Sequence, residues 1–468
     1  MLSTAPVTGS IAAFALGLEL RDVPAAEVRR ATRLLADTLG CAVAARGEPL
    51  AERLAAYARR RSSSELPRAT LLAARGTANP ALAALASGTA VRMLDANDLY
   101  CSTFGGRNGG HLSDAIPAIL GAAEIAGSTG AETLAAIVAA YETQALLADA
   151  VDWRARGWHP STYVIWAVPA PVARLWRRPG AEAIAAISLA GSTGQALQSW
   201  LRPDLPVTAI KSVAPGLLGQ RAVEAVELAC EGITAPPDAL ETMLRLLGCP
   251  PELVPVGRLG RDWTLARNLV KRYPAQYLTQ AAVQGALELY AGGLRAERVE
   301  AVTIYGHAGV CGSVQGAPHA YQPQSQEDAD HSTPFVVVMA LLNGRLRPTD
   351  YHGDPWLRPD VRALMARVRL VEEPERQRAY LERGIIGCRL SVRQRDGQTR
   401  SADVLQPAGH PDAPLDDDAL VAKLDEIMDG RLGSNGGARL LEVCARLPGA
   451  GDLGELFDLL RVPDDQRP

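Results

Sequence analysis

Lysine is nearly missing from this 468-residue sequence: its 48 basic residues comprise 45 arginines and only Lys211, Lys271 and Lys423. Arginine has taken over the positions where either cation serves. A lysine that persists marks a place where a compact, titratable ammonium is needed that a planar guanidinium cannot imitate. A basic excess is missing too. The formal net charge is −4, which argues against the clustered positive surface that nucleic-acid binding requires. Seven cysteines are present, but no two lie at a CxxC spacing and their number is odd. A disulfide framework, a zinc ribbon and an iron–sulfur site are disfavoured, and a reducing cytoplasm is the expected compartment. No run of about 18 apolar residues exists, so no membrane span is expected. No basic residue precedes the short apolar stretch near the N-terminus, which reads as a first helix and not as a signal peptide. HExxH, HxxxH, GxSxG, GxxxxGK[ST] and a strand-linked GxGxxG are all absent, so no metal and no cofactor are expected.

Apolar residues are abundant, at 47% of the chain, while aromatic residues make up only 5%. Such Ala- and Leu-rich segments pack closely around small side chains. Up to about residue 265 the hydrophobic period is helical. Helices are expected from near Pro24 to Gly47, over 79–96, 113–127, 131–150, 163–176, 180–197 and 216–231, with no strand between them. After about 267 the pattern changes. Residues 296–308 alternate as a strand does, and 384–407 read as two strands turning at Asp396-Gly397. Helices are expected between them at about 275–293, 326–343 and 358–367, and residues 415–462 return to helix. The fold class is mainly α. Residues 1–266 and 406–468 form one large helical domain, discontinuous in sequence, and 267–405 form a smaller α+β lid. Lys423, on the amphipathic DALVAKLDEIM, is expected to face solvent.

Four segments break their local pattern. Asp95 and Asp98 close a helix at i,i+3 spacing, ahead of a loop with four glycines, His111 and a helix start at Ser113/Asp114. His159 precedes Pro160 at another helix start. Lys211 stands in a loop before a Gly-containing helix, and Lys271-Arg272 lie at the boundary of the two expected domains, where ligand sites concentrate. Two histidines, two rare lysines and two acids at helix ends suggest a carboxylate-binding site with acid/base groups.

These segments resemble the MmgE/PrpD family, which includes 2-methylcitrate dehydratase and cis-aconitate decarboxylase. The resemblance is carried by VRRATRLLADTLGCAVAARG, LDANDLY with HLSDAIPAILGAAE, GWHPST, IKSVAPG, VKRYPAQYLTQAAVQGALEL and DADHSTPFVVVMALLNGRLRPTDY. The last is closer to the dehydratase branch. The resemblance implies a helical domain with an α+β lid, a homodimer, and a metal-independent lyase acting on a small carboxylic acid. Asp95, His111, His159, Lys211 and Lys271 match its active-site pattern, with Tyr321 as the nearest match to a substrate-binding Tyr. Leu99 stands where the family has Thr, and Ala214 where it has His, so the substrate is either 2-methylcitrate-like or a bulkier, less charged hydroxy acid of specialised metabolism. The expected reaction is dehydration of a β-hydroxy acid. His111 and His159 would be the acid/base pair, Asp95 would orient one of them or shuttle a proton, and the two lysines would bind carboxylates. Decarboxylation, epimerisation and a non-catalytic scaffold role are the alternatives.

Overall fold

The computed structural model describes residues 6–104, 109–200 and 202–462; part of the glycine loop, residues 105–108, lies outside the described residues. The chain is mainly helical, and its described residues form one four-stranded sheet and two two-residue ladders. Local chemistry explains the helix bounds. Gly130–Ala150 opens on a capping box in which Thr129 accepts from the Glu132 N–H and Glu132 accepts from the Thr129 N–H. Ala25–Ala44 follows Pro24 and carries Glu27 in its first turn, where a carboxylate meets the positive end of the helix.

Small residues set the spacing of the helices that carry the site. Pro80–Met93 crosses Ile210–Cys230 at Gly88 and Gly216; a Cβ on Gly88 would sit 2.9 Å from the Gly216 Cα, and one on Gly216 would sit 2.3 Å from the Leu85 carbonyl oxygen. Only glycine admits that approach. It brings Asp95, just beyond the first helix, towards Lys211, near the start of the second.

Two large apolar cores form. One draws on residues 7–265 together with 420–460, so the C-terminal helices Asp417–Met428 and Gly436–Arg446 close back on the N-terminal part. The other draws on residues 275–404 and fills the space between the sheet and the helices Gln280–Ala291 and Thr333–Asn343. The sheet order is Val368–Glu372, Val299–Gly306, Cys388–Gln394, Thr399–Val404. The first pair is parallel, the others antiparallel, and the hairpin turns at Asp396-Gly397 as the sequence predicts.

Several expectations are corrected. Ile210–Cys230 begins six residues before the predicted 216, and Pro215 lies inside it, so Lys211 is in the first helical turn and not in a loop. Residues 163–176 form two short helices, Val164–Ala167 and Pro169–Leu175. Helices Pro49–Arg61, Ala239–Leu246 and Pro374–Arg383 and strand Val368–Glu372 escape the periodicity reading, because each is short or strongly charged. The helical part does contain extended pairs: Ala69–Thr70 with Thr77–Ala78, and Leu99–Tyr100 with Asn268–Leu269. Lys423 does not face solvent. It is fully buried and ion-paired with Asp37, because its helix packs that face, and not the opposite one, against Ala25–Ala44.

Candidate functional site

The Leu99–Tyr100 and Asn268–Leu269 ladder matters more than its length suggests. It pairs Leu99 with Leu269 and so lays Lys271 beside Asp95, 176 residues away in sequence. Asp95 ends its helix in the left-handed region, with φ 49°, a conformation that costs a non-glycine residue energy and persists only where neighbours hold it. They do. The Lys271 ammonium donates to the Asp95 carboxylate at 2.7 Å and to its carbonyl at 2.8 Å, and Arg92 pairs with the same carboxylate oxygen. Lys211 lies 3.9 Å from the other oxygen and donates to Asp330 at 2.8 Å; Asp330 in turn contacts His331. Burial alone would raise the Asp95 pKa, but Lys211, Lys271 and Arg92 outweigh it and hold the carboxyl well below its usual range. Burial lowers the Lys271 ammonium to about 8, although Asp95 opposes the change.

The two histidines adopt complementary forms. His111 Nδ1 donates to the Asp98 carbonyl at 2.5 Å, which leaves Nε2 as the basic nitrogen of a residue lining the cleft. His159 Nδ1 accepts from the Ser161 N–H at 3.0 Å, so Nε2 carries the proton, and that buried nitrogen has no hydrogen-bond partner. Both rings are held neutral. Burial drives the His111 pKa well below its usual value, with Arg92 and Lys271 adding to it, and drives His159 to about 3. Behind them, burial raises Asp98 to about 7 and Asp114 to about 6. The Ser113 hydroxyl donates to Asp98 at 2.5 Å and the Ser161 hydroxyl to Asp114 at 2.6 Å.

The structure therefore brings five of the sequence-derived residues into one region: Asp95, His111 and Lys271 line a cleft, while His159, against Trp200, and Lys211, against Asp95 and Asp330, stand behind its wall. Asp95 serves the cations; among the described residues it makes no hydrogen bond to either histidine. Tyr321 is not brought there. Its hydroxyl donates to the Val368 carbonyl at 3.3 Å and its ring packs on the second core, because the helical turn Pro318–Tyr321 faces the sheet. Leu99 lines the cleft as an apolar wall, whereas Ala214 is buried one turn beyond Lys211 and is not among the lining residues.

Sequence reasoning missed Arg92, Arg154, Trp200, Gln276, Tyr277 and His331, which complete the lining. His331 had a signal, since it lies in DADHS beside the Ser332 N-cap. Trp200 had none. It is placed by backbone bonds from His159 N–H to Ala196 and from Gln198 N–H to Gly157, and its ring centroid lies 5.5 Å from both His159 and His331. Asp95, Asp330 and His331 also come close enough together to hold a metal ion, a constellation their sequence separation hides. Both carboxylates are already paired with ammonium groups. The cleft itself encloses about 20 Å³, room for roughly one water.

Family models of the MmgE/PrpD N-terminal domain and the MmgE/PrpD C-terminal domain match residues 9–246 and 273–447. Among characterised proteins, the chain is 28% identical over 357 residues to the 2-methylcitrate dehydratase of Cupriavidus necator, covering 71% of each chain. It is 28% identical over 354 residues to that of Escherichia coli (strain K12), again covering 71% of each. The cis-aconitate decarboxylase of Mus musculus is 27% identical over 144 residues, 31% of this chain and 29% of that protein.

Proposed function

This chain belongs to the MmgE/PrpD family, and from that premise we propose that it dehydrates a β-hydroxy carboxylic acid, without a metal, at the cleft between Asp95, His111 and Lys271. It is a hydro-lyase; the dehydratase relatives align along most of its length, the decarboxylase relatives along less than a third. The observation that carries the reading is the opposite protonation of the two neutral histidines beside a cluster of cations. His111 Nε2 takes the proton α to the substrate carboxylate, while Lys271, Lys211 and Arg92 stabilise the charge that grows on that carboxylate. The C–O bond breaks as the C=C bond forms, and the departing hydroxide takes the His159 Nε2 proton and leaves as water; the resulting imidazolate, held at Nδ1 by the Ser161 N–H, regains its proton from the His111 imidazolium, which closes the cycle. Asp95 keeps the cations in place. The apolar Leu99 supports a substrate that is less charged than the ordinary tricarboxylate at that corner. Residues 267–405 are read as the unit that covers the cleft, since their core draws on 275–404 alone, and it must move away to admit a hydroxy acid, because the cleft of about 20 Å³ holds roughly one water.

Incubation with 2-methylcitrate, citrate, cis-aconitate and simpler β-hydroxy acids in D₂O, followed by mass spectrometry, tests the reaction. Loss of one water, about 18 mass units, is expected; loss of CO₂ would make the enzyme a decarboxylase, and deuterium uptake without loss an epimerase. Metal independence rests on the ammonium groups that already occupy the Asp95 and Asp330 carboxylates. Activity should survive exhaustive chelation, and activity lost to chelator and restored by Fe²⁺ or Zn²⁺ would overturn that part.

The pH profile follows from the two groups that must keep their forms. His111 must stay neutral and titrates well below 6.5, so no loss is expected down to that pH. Lys271 must stay protonated, so kcat/KM should fall as pH rises through about 8. A profile that climbs steadily from pH 7 to 9.5 would assign Lys271 as a neutral base instead.

The family resemblance also supports a homodimer, checked by a dimeric mass in sedimentation at micromolar concentration. Among the described residues no helix is long and apolar enough to cross a membrane, and the seven cysteines are free, which supports a cytoplasmic setting.

A further inference from the structure

Lys423 is the third of the rare lysines, and its environment resembles that of the other two. Its ammonium pairs with the Asp37 carboxylate and donates to the Ala96 carbonyl at 2.8 Å. Lys423, Asp37 and Ala96 are fully buried. The Asp95 carbonyl, one residue earlier, accepts from Lys271 at 2.8 Å. Two successive carbonyls of the turn that carries Asp95 are thus each held by a buried ammonium, one from residue 271 and one from residue 423. The approach depends on Gly40, where an added Cβ would lie 2.3 Å from the Leu424 side chain.

We propose that Lys423 and Asp37 are a positioning pair for catalysis: they fix the Ala96 peptide and thereby hold Asp95 in its left-handed conformation under Lys271 and Lys211. A buried ion pair is a poor device for stability alone, since well-packed apolar residues do as well or better. A left-handed aspartate, in contrast, needs several independent restraints. An ammonium supplies two donors to two acceptors lying in different directions; a guanidinium, planar and larger, does not fit a pocket closed on all sides. The pair touches no substrate and acts through Asp95.

This inference rests on the reading of Asp95 as organiser of the site's cations, not on the identity of the substrate, and its test keeps the two apart. Because the chain has three lysines, [6-13C]lysine labelling gives three resonances, each assigned by the variant that removes it. The apolar double variant Asp37→Leu/Lys423→Met is expected to fold, with a thermal midpoint within about 5 °C of wild type. Its Lys271 resonance should move, and kcat on 2-methylcitrate should fall about thirtyfold with KM changed less than about threefold, since a misplacement near 1 Å costs up to about a hundredfold. A folded double variant with an unmoved Lys271 resonance overturns the proposal, and so does one with wild-type kcat. If wild type does not turn over 2-methylcitrate, the function reading fails on that substrate and the resonance alone decides. If the double variant does not fold, the isosteric Asp37→Asn protein replaces it under the same two criteria.

Discussion

Lys271→Arg is expected to lower kcat/KM by roughly a hundredfold, about 3 kcal/mol of transition-state stabilisation. Lys211→Arg should do the same. Arginine preserves the charge, so a site that needed only positive potential would tolerate both changes. The Lys271 ammonium, however, is enclosed and splits its donors between the Asp95 carboxylate and carbonyl, and the fully buried Lys211 lies between Asp330 and Asp95. A guanidinium at either place must displace a neighbour, and overpacking of this kind costs about 1–3 kcal/mol in stability as well. Rates must therefore be normalised to the folded fraction. Arg21→Lys, on a side chain 79% exposed, is the control and should match wild type. Lys423→Arg is no control, since that residue is as buried as the other two. Wild-type activity in both lysine variants would place the site elsewhere.

Asp95→Asn should have the largest effect on stability of any single change in the cleft. Its carboxylate is the shared counter-charge of Lys271 and Arg92 and lies 3.9 Å from Lys211, whose closer partner is Asp330. Removing one partner of a buried pair typically costs about 3–5 kcal/mol, because the remaining charge is left without compensation. Asparagine is the informative replacement: it tolerates the left-handed backbone, so the effect reports charge and not strain. The thermal midpoint should drop by several degrees and activity should be lost. Asp95→Asn/Lys271→Met should regain part of the stability and none of the activity. A single variant as stable as wild type would mean that the three cations are compensated elsewhere.

The pattern along the chain determined a good deal about this protein. Helical periodicity up to about 265 and alternation in 296–308 and 384–407 marked the mainly α fold and three of the sheet's four strands, because burying one face of an element imposes its period on the residues. The lysine count pointed to Lys211 and Lys271, and the helix-end placement of Asp95, His111 and His159 pointed to the rest of the cleft. The same count failed at Lys423, where an amphipathic helix could bury either flank. Only the packing of Asp417–Met428 against Ala25–Ala44 at Gly40 chose the flank with the ammonium. Tertiary structure alone decided that His331, Arg92 and Trp200 reach the cleft, that Asp330 pairs with Lys211 behind it, and that Tyr321 does not reach it. It also fixed which nitrogen of each histidine holds the proton, since the partners that set it, the Asp98 carbonyl and the Ser161 N–H, are backbone groups. Every side chain shows in a sequence, but a backbone carbonyl or N–H is common to nearly all residues. It becomes a specific partner only once the fold has turned it towards one atom.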